Sequence, residues 1–367
     1  MPQKTAPKKK KKETKIRSLV TGACGFIGSH MVETLAAAGH EVIATDFQQA
    51  WQEDSYEKAL FPGLVKKLAK ETFVADLTDP ASLAKLPTNV DYVFHVASLF
   101  NYTATLATMR KVNVDGTRAL ASRYLGKKRL KRWVQWGAGG VYGLPSTRDV
   151  DVFTEDTPPQ PGNDYLKSKW QQEFLIMELG RTKGLPYTII RPTTVYGPRG
   201  GYGSRKLFME MQTQPVIAIP KNINGHIPFS HVKDVVGAAL HLAQSPKAKN
   251  EVFNVNDDTD MTNIEFMENL AKLFGKPFMP LPPIPLKQMM PVVKPLLEVM
   301  RTVARDVFNT SPPLEPAMFE YFPEDFRYSN DKLKNTGYQF AYPDARLAME
   351  ETLNWYLTHD VKSVPVY

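Results

Sequence analysis

Six short apolar runs, rich in β-branched and aromatic residues, recur along the first half of the chain. They are "IRSLVT" (16–21), "EVIATD" (41–46), "TFVAD" (72–76), "DYVFHVAS" (91–98), "RWVQWGA" (132–138) and "PYTIIRP" (186–192). Each is short enough for a strand and too continuously apolar for a strand with one wet face. Between several of them lie helical patterns, over about 26–38, near 105–125 and near 164–183. The first of these helices closes at Gly39, a residue suited to a helix C-terminus. Strand–helix alternation of this kind predicts an α/β fold, a doubly wound parallel sheet covered by helices on both faces.

From about residue 193 the pattern changes. Proline and glycine become frequent and the elements shorten, with "HVKDVVGAALHLAQ" (231–244) as a clear helix. The expected organisation is therefore a tail (1–15), a nucleotide-binding Rossmann domain (16–192) and a smaller, partly interleaved substrate-binding cap (193–367). Residues 226–256 are expected to return to the first domain. A second helical stretch, 291–308, is amphipathic: Lys294, Glu298, Arg301 and Arg305 share one face, opposite Val293, Leu296, Leu297, Met300 and Val303. It reads as a core or dimer helix, or alternatively as a helix lying on a membrane surface.

Charge sharpens the view of the tail. The chain carries a net +8, of which residues 1–17 contribute +7 through Lys4, Lys8 to Lys12, Lys15 and Arg17 against Glu13. The body is thus nearly neutral, and the tail reads as a solvated arm or a contact for an anionic membrane. No basic patch interleaved with aromatics occurs elsewhere, which argues against nucleic acid as a partner. The single cysteine, Cys24, excludes an intramolecular disulfide and a cysteine zinc cluster. There is no secretory leader pattern and no apolar run long enough to span a bilayer, so a cytoplasmic protein is expected, either free or associated with a membrane surface.

Candidate chemistry starts at Gly22, Gly25 and Gly28, the G-x-x-G-x-x-G of "TGACGFIG", which includes Phe26 and Ile27. The motif follows a strand and opens a helix, the setting in which backbone amides cradle a pyrophosphate. Asp46 ends the next strand, eighteen residues after Gly28, where a carboxylate can accept from ribose hydroxyls. It would repel a 2′-phosphate and has no adjacent arginine, so NAD is expected rather than NADP. About 140 residues downstream, Tyr165 and Lys169 form Y-x-x-x-K, with both side chains on one helix face. A cation beside a phenol suits general acid–base work.

These motifs, with "ADL" (75–77), "HVAS" (95–98), "NVDGT" (113–117), "VYG" (141–143) and "RPTTVYGP" (191–198), resemble those of extended short-chain dehydrogenase/reductases. That superfamily contains NAD-dependent epimerases and dehydratases, 3β-hydroxysteroid dehydrogenases and dihydroflavonol reductases. The resemblance is specific over roughly residues 16–245. It implies Tyr165 as catalytic acid–base and Lys169 as holder of the phenolate and the nicotinamide ribose. It also implies Asp76 and Leu77 beside the adenine and Val96, Ala97 and Ser98 along the cofactor cleft. Pro192, Thr193, Thr194 and Val195 would meet the nicotinamide carboxamide, and Asn113 would help order the site. His95 and His231 are expected to be structural rather than metal ligands.

One position departs from the pattern. The family places Ser or Thr four residues before the Tyr of V-Y-G, and here that residue is Ala138, between Gly137 and Gly139. Either another hydroxyl (Ser98, Thr193, Thr194 or a water) replaces it, or the reaction does not need it, or the protein binds NAD with little turnover. The small residues also suggest room for a bulky substrate. The expected function is interconversion of a secondary alcohol and ketone on a bulky, hydrophobic, sterol-like small molecule by a homodimeric enzyme. The alternatives are a nucleotide-sugar epimerase or dehydratase, to which Arg199 and Arg205 would contribute, and an NAD-binding protein without turnover.

Overall fold

The computed structural model describes residues 15–55, 58–100, 104–201, 204–306, 321 and 323–359. The expected basic tail therefore lies outside the described residues except for Lys15. Among the described residues eleven strands are formed in chain order: β1 (Arg17–Thr21), β2 (Glu41–Asp46), β3 (Glu71–Val74), β4 (Tyr92–His95), β5 (Arg132–Trp136), β6 (Tyr187–Pro192), β7 (Thr194–Tyr196), β8 (Ile217–Pro220), β9 (Phe229–His231), β10 (Glu251–Val255) and β11 (Phe278–Leu281). Seven of them build one parallel sheet in the order β10-β6-β5-β4-β1-β2-β3. The chain reverses its direction of travel at β1, so a crevice opens where β1 and β4 part, beyond their C-terminal ends.

Both faces of this sheet are dry, which explains the near-continuous apolar strands. Val20 and Phe94 face one core, with Met31, Leu35, Val235 and Leu242 from the helices Phe26–Ala37 and Val232–Gln244. Their neighbours Leu19 and Val93 face the other core, with Leu120, Tyr124, Leu175 and Ile176. Alternation is present, but each phase meets apolar partners. A third core, containing Phe208, Ile219, Phe266, Leu270, Met349 and Tyr356, lies in the C-terminal part of the chain.

Two helices differ from the expected pattern. The stretch near 105–125 is not one α-helix: a π-helical segment, Lys111–Gly116, separates Leu106–Arg110 from Thr117–Ser122. Gly116 packs against Leu77, whose Cβ would lie 2.7 Å from any Cβ added there. Asn113 turns from the widened turn to bind the backbone of Leu99. Wider turns of this kind recur where a helix must aim a functional side chain. The amphipathic helix runs over Leu286–Asp306, beginning five residues earlier than expected and containing Pro291 and Pro295. Both prolines are exposed, on the side away from the buried Leu297.

The helix that carries the Y-x-x-x-K pair spans Asp164–Lys183. Asn163 caps its start by accepting from Leu166 N at 2.9 Å, and Gly184 closes it at a left-handed φ of 69°. Capping fixes the start of the helix and with it the height of Tyr165 above the sheet.

Candidate cofactor cleft and active site

The glycine turn between β1 and the Phe26–Ala37 helix has the geometry of a phosphate cradle. Gly22 adopts φ 64°, and an added Cβ would lie 2.9 Å from the Ala97 backbone. At Gly28 a Cβ would sit 1.9 Å from Gly22 O, so helix and strand can approach this closely only without side chains. Gly25, by contrast, faces nothing nearer than Gly22 O at 3.4 Å. It is also the helix N-cap, with no side-chain cap and no acidic residue in the first turn. The helix's free N–H groups and positive dipole end therefore remain available to an anion.

Asp46 stands at the end of β2, 8 % exposed. Its carboxylate accepts from Cys24 N and Phe47 N, each at 2.9 Å, through different oxygens. A carboxylate offers about four lone-pair sites, so both oxygens keep capacity for ribose hydroxyls. Burial pushes its pKa up to about 6, against the opposing pull of the two amide bonds. The residues thus fit a dinucleotide with a free 2′-hydroxyl. Asp76 is exposed, and its Oδ1 holds the N–H and hydroxyl of Thr78. Leu77 lies against the π-helical segment.

Tyr165 and Lys169 stand one turn apart on the Asp164–Lys183 helix, and Lys169 reaches the C-terminal end of β5. Lys169 is 2 % exposed and donates to Trp136 O at 2.7 Å and Gln172 Oε1 at 2.6 Å. Burial lowers its pKa to about 8, with Glu173 acting in the opposite sense. The half-buried phenol of Tyr165 is pushed up, first by burial and then by the Glu173 carboxylate. Its ring meets Phe100 edge-on at 4.8 Å. Asn113 reaches the tyrosine indirectly: Nδ2 donates to Ser168 Oγ at 3.0 Å, which donates to Tyr165 O at 2.7 Å.

Several partners were not legible as site residues in the sequence. Gln172 Nε2 donates to Thr117 Oγ1 at 2.8 Å; Thr117 meets His95 Nε2 at 2.7 Å, and His95 Nδ1 meets Thr21 Oγ1 at 2.8 Å. Burial first, and the Lys169 charge second, lower the His95 pKa to about 3, so the ring is a neutral strut. Glu173 is fully buried and pairs with Arg191, whose Nη1 donates to Tyr142 Oη at 2.7 Å. Tyr142 in turn donates to Asn254 Oδ1 at 2.7 Å. The available signal was helical spacing, since Glu173 lies one turn beyond Lys169 on the same helix.

The glycines on either side of Ala138 are packed against this network and its neighbours. A Cβ on Gly137 would lie 2.1 Å from Glu173 Oε1, and one on Gly139 3.0 Å from Thr193 Cγ2. A Cβ on Gly140 would meet Leu166 at 3.0 Å. The glycines are filled by protein, not kept open for substrate. Thr193 is engaged as well: its Oγ1 lies 2.8 Å from Ser230 Oγ, whose proton goes to Val255 O. Thr193 must therefore donate to Ser230. Thr194 is exposed, and Pro192 and Val195 flank the pair at the end of β6 and within β7. Val96 and Ala97 follow β4 beside the glycine turn. His231 packs against Tyr342 with ring centroids 3.9 Å apart and planes tilted by 46°. Among the described residues no group of three His, Cys, Asp or Glu is placed to hold a metal.

Comparison with known proteins agrees with this geometry. Residues 18–256 match the model of the NAD dependent epimerase/dehydratase family. The chain belongs to that family. It is 26 % identical over 272 residues to a UDP-glucose 4-epimerase of Vibrio cholerae, covering 72 % of this chain and 77 % of that one. It is 26 % identical over 326 residues to sterol demethylase protein B of Methylococcus capsulatus, covering 87 % and 88 %. The crystal structure of a Thermotoga maritima UDP-glucose 4-epimerase with UDP-glucose shares the fold, with TM-score 0.71 at 22 % identity over 94 % of this chain and 99 % of that one. The expected sheet, family and NAD cofactor are thus borne out, and the family is one of enzymes.

Two outcomes check the site. Replacing Glu173 with Ala strands the buried Arg191 charge and is expected to destabilise the fold by about 3–5 kcal/mol in chemical denaturation; a loss below about 0.5 kcal/mol would contradict the pairing. NAD binding is expected to weaken as pH falls below about 6, because Asp46 is protonated there and loses acceptor strength for the ribose. Asp46→Asn should flatten that profile, and a wild-type dissociation constant that does not change with pH would refute the assignment.

Proposed function

We propose that the chain interconverts a secondary alcohol and a ketone on a bulky, hydrophobic, sterol-like substrate. The cap built from residues 193–367, apart from 226–256, closes over that substrate. NAD held on the glycine turn supplies the hydride acceptor or donor. Tyr165 moves the proton: its raised pKa keeps the phenol neutral near pH 7, ready to protonate a forming alkoxide in the reducing direction. In the oxidising direction the phenolate form, favoured by the Lys169 ammonium that is charged below about pH 8, takes the hydroxyl proton and becomes the neutral phenol.

The observation that supports the substrate class is the aromatic cluster beside Gly139, where Tyr328 donates to Gly139 O at 3.3 Å and packs with the buried Phe326 and Phe153. Arg199, the expected phosphate contact, is 8 % exposed and donates to His30 Nδ1 and to Glu33, which answers its charge. The longer match to the sterol-named relative, reaching into the C-terminal part, supports the same reading. The nucleotide-sugar reading retains one observation, since Arg199 Nη1 is buried without a partner. The side chain of Arg205 lies outside the described residues. NADH formation measured with 3β-hydroxysterols and with UDP-glucose separates the two. Turnover of sterol is expected, with Tyr165→Phe losing at least about 10²-fold in kcat; turnover of the nucleotide sugar alone would select the second reading, and full activity of the variant would refute the mechanism.

The amphipathic helix supplies a partner proposal. Val292, Leu296 and Val299 are 75 %, 59 % and 59 % exposed and follow one another at helical spacing, with Met289 and Met300 beside them. By sequence the same helix carries Lys294, Arg301 and Arg305 against Glu298, a net positive charge suited to anionic headgroups. No described helix is long and apolar enough to cross a membrane. The occupant proposed is the surface of an anionic bilayer. Sedimentation with phosphatidylserine-containing vesicles is expected, with loss on joint replacement of Val292, Leu296 and Val299 by Ser. A protein that stays in the supernatant, or that forms a dimer abolished by the same replacement, would reassign the face.

A further inference from the structure

We infer that Ser98 supplies the hydroxyl that position 138 lacks, donating a hydrogen bond to the reacting oxygen of the substrate while Tyr165 moves its proton. The inference rests on the alcohol–ketone reading above and assigns a further catalytic residue to it.

Position comes first. β4 and β5 pair in parallel, with Tyr92 opposite Arg132 and His95 opposite Gln135. Ser98 follows the end of β4 by three residues and Ala138 follows the end of β5 by two, so both lie in the segments that leave the C-terminal ends of these adjacent strands. Neighbouring strands are about 4.8 Å apart, so a hydroxyl on one strand end can serve an oxygen lying over the other.

Immobility comes second. On one side of Ser98, Ala97 lies against the glycine turn and its N–H donates to Thr21 Oγ1 at 3.2 Å. On the other side, Leu99 N donates to Asn113 Oδ1 at 2.6 Å and Leu99 O accepts from Asn113 Nδ2 at 3.2 Å. Phe100 then packs against the Tyr165 ring. The residue is held between the cofactor turn and the general acid–base, and a donor fixed before the reaction begins stabilises developing charge without reorganising.

Availability comes third. Ser98 Oγ is shielded from solvent and has no hydrogen-bond partner. A buried hydroxyl left alone is unfavourable and points to a group that arrives later. The other candidate hydroxyls differ: Thr193 spends its one proton on Ser230, and Thr194 is exposed.

The test uses the full-length protein, a substrate that the wild type turns over, and four forms: wild type, Ser98→Ala, Ala138→Ser and the double replacement. Ser98→Ala is expected to lower kcat by about 10²–10³-fold, the loss typical of one oxyanion donor. The NAD dissociation constant, read by fluorescence quenching, should change less than about twofold, and the melting temperature of the free protein should not fall. Adding Ala138→Ser should restore kcat at least about tenfold, because the hydroxyl returns on the adjacent strand end. An unchanged kcat in Ser98→Ala, or a loss wholly accounted for by weaker NAD binding, would overturn the inference. If Tyr165→Phe is inactive while Ser98→Ala is not, only the Ser98 role falls. If the wild type turns over no alcohol or ketone, the functional reading falls and takes this inference with it.

Discussion

The buried ion pair between Glu173 and Arg191 is the constraint around which the catalytic end of the sheet is arranged. Arg191 Nη2 lies 2.8 Å from Glu173 Oε2, with both side chains almost wholly excluded from water. Removing two charges from solvent costs several kcal/mol each, and only close pairing with further hydrogen bonds offsets it. The remaining valences are met by Ala138 N on the carboxylate side and by Tyr142 Oη on the guanidinium side. One interaction therefore ties the helix of Tyr165 and Lys169 to β6 and to the segment after β5. The glycine at 137 is its direct consequence, because the carboxylate occupies the space a side chain would need.

That arrangement also sets the proton chemistry. Lys169 is held by a backbone carbonyl and by Gln172, whose amide continues through Thr117 and His95 to Thr21 at the end of β1. The base of the active site and the cofactor turn are thus joined by one chain of buried polar contacts. Such networks favour a single arrangement when every member is satisfied. The low pKa of His95 keeps its ring neutral, and Glu173 is the charge that adds to burial in raising the pKa of Tyr165.

The loss of a hydroxyl at Ala138 reads differently once the packing is known. In the sequence, Gly137, Ala138 and Gly139 suggest an emptied pocket. In the fold, the places of the glycines are taken by Glu173, Thr193 and Tyr328. The glycines that look like an opening are sites of close packing. The distinction lies in long-range contacts, since Glu173 is 36 residues and Tyr328 189 residues away from the glycines they meet at 137 and 139.

What the sequence determined by itself follows from local periodicity and from motifs that act through backbone geometry. The parallel sheet was legible because both phases of each strand are apolar. The cofactor turn was legible because glycine at 22, 25 and 28 serves close approach wherever a strand turns into a helix, and Asp46 because it ends the next strand. Tyr165 and Lys169 were legible through helical spacing. Tertiary structure alone decided the partners of the site. Nothing local to Asn113 indicates a π-helical turn, nothing local to Thr193 shows that Ser230 takes its proton, and nothing local to Ser98 shows that its hydroxyl is left without one. Those facts depend on which strand ends meet, and that order is set by burial across the whole sheet rather than by any short stretch of chain.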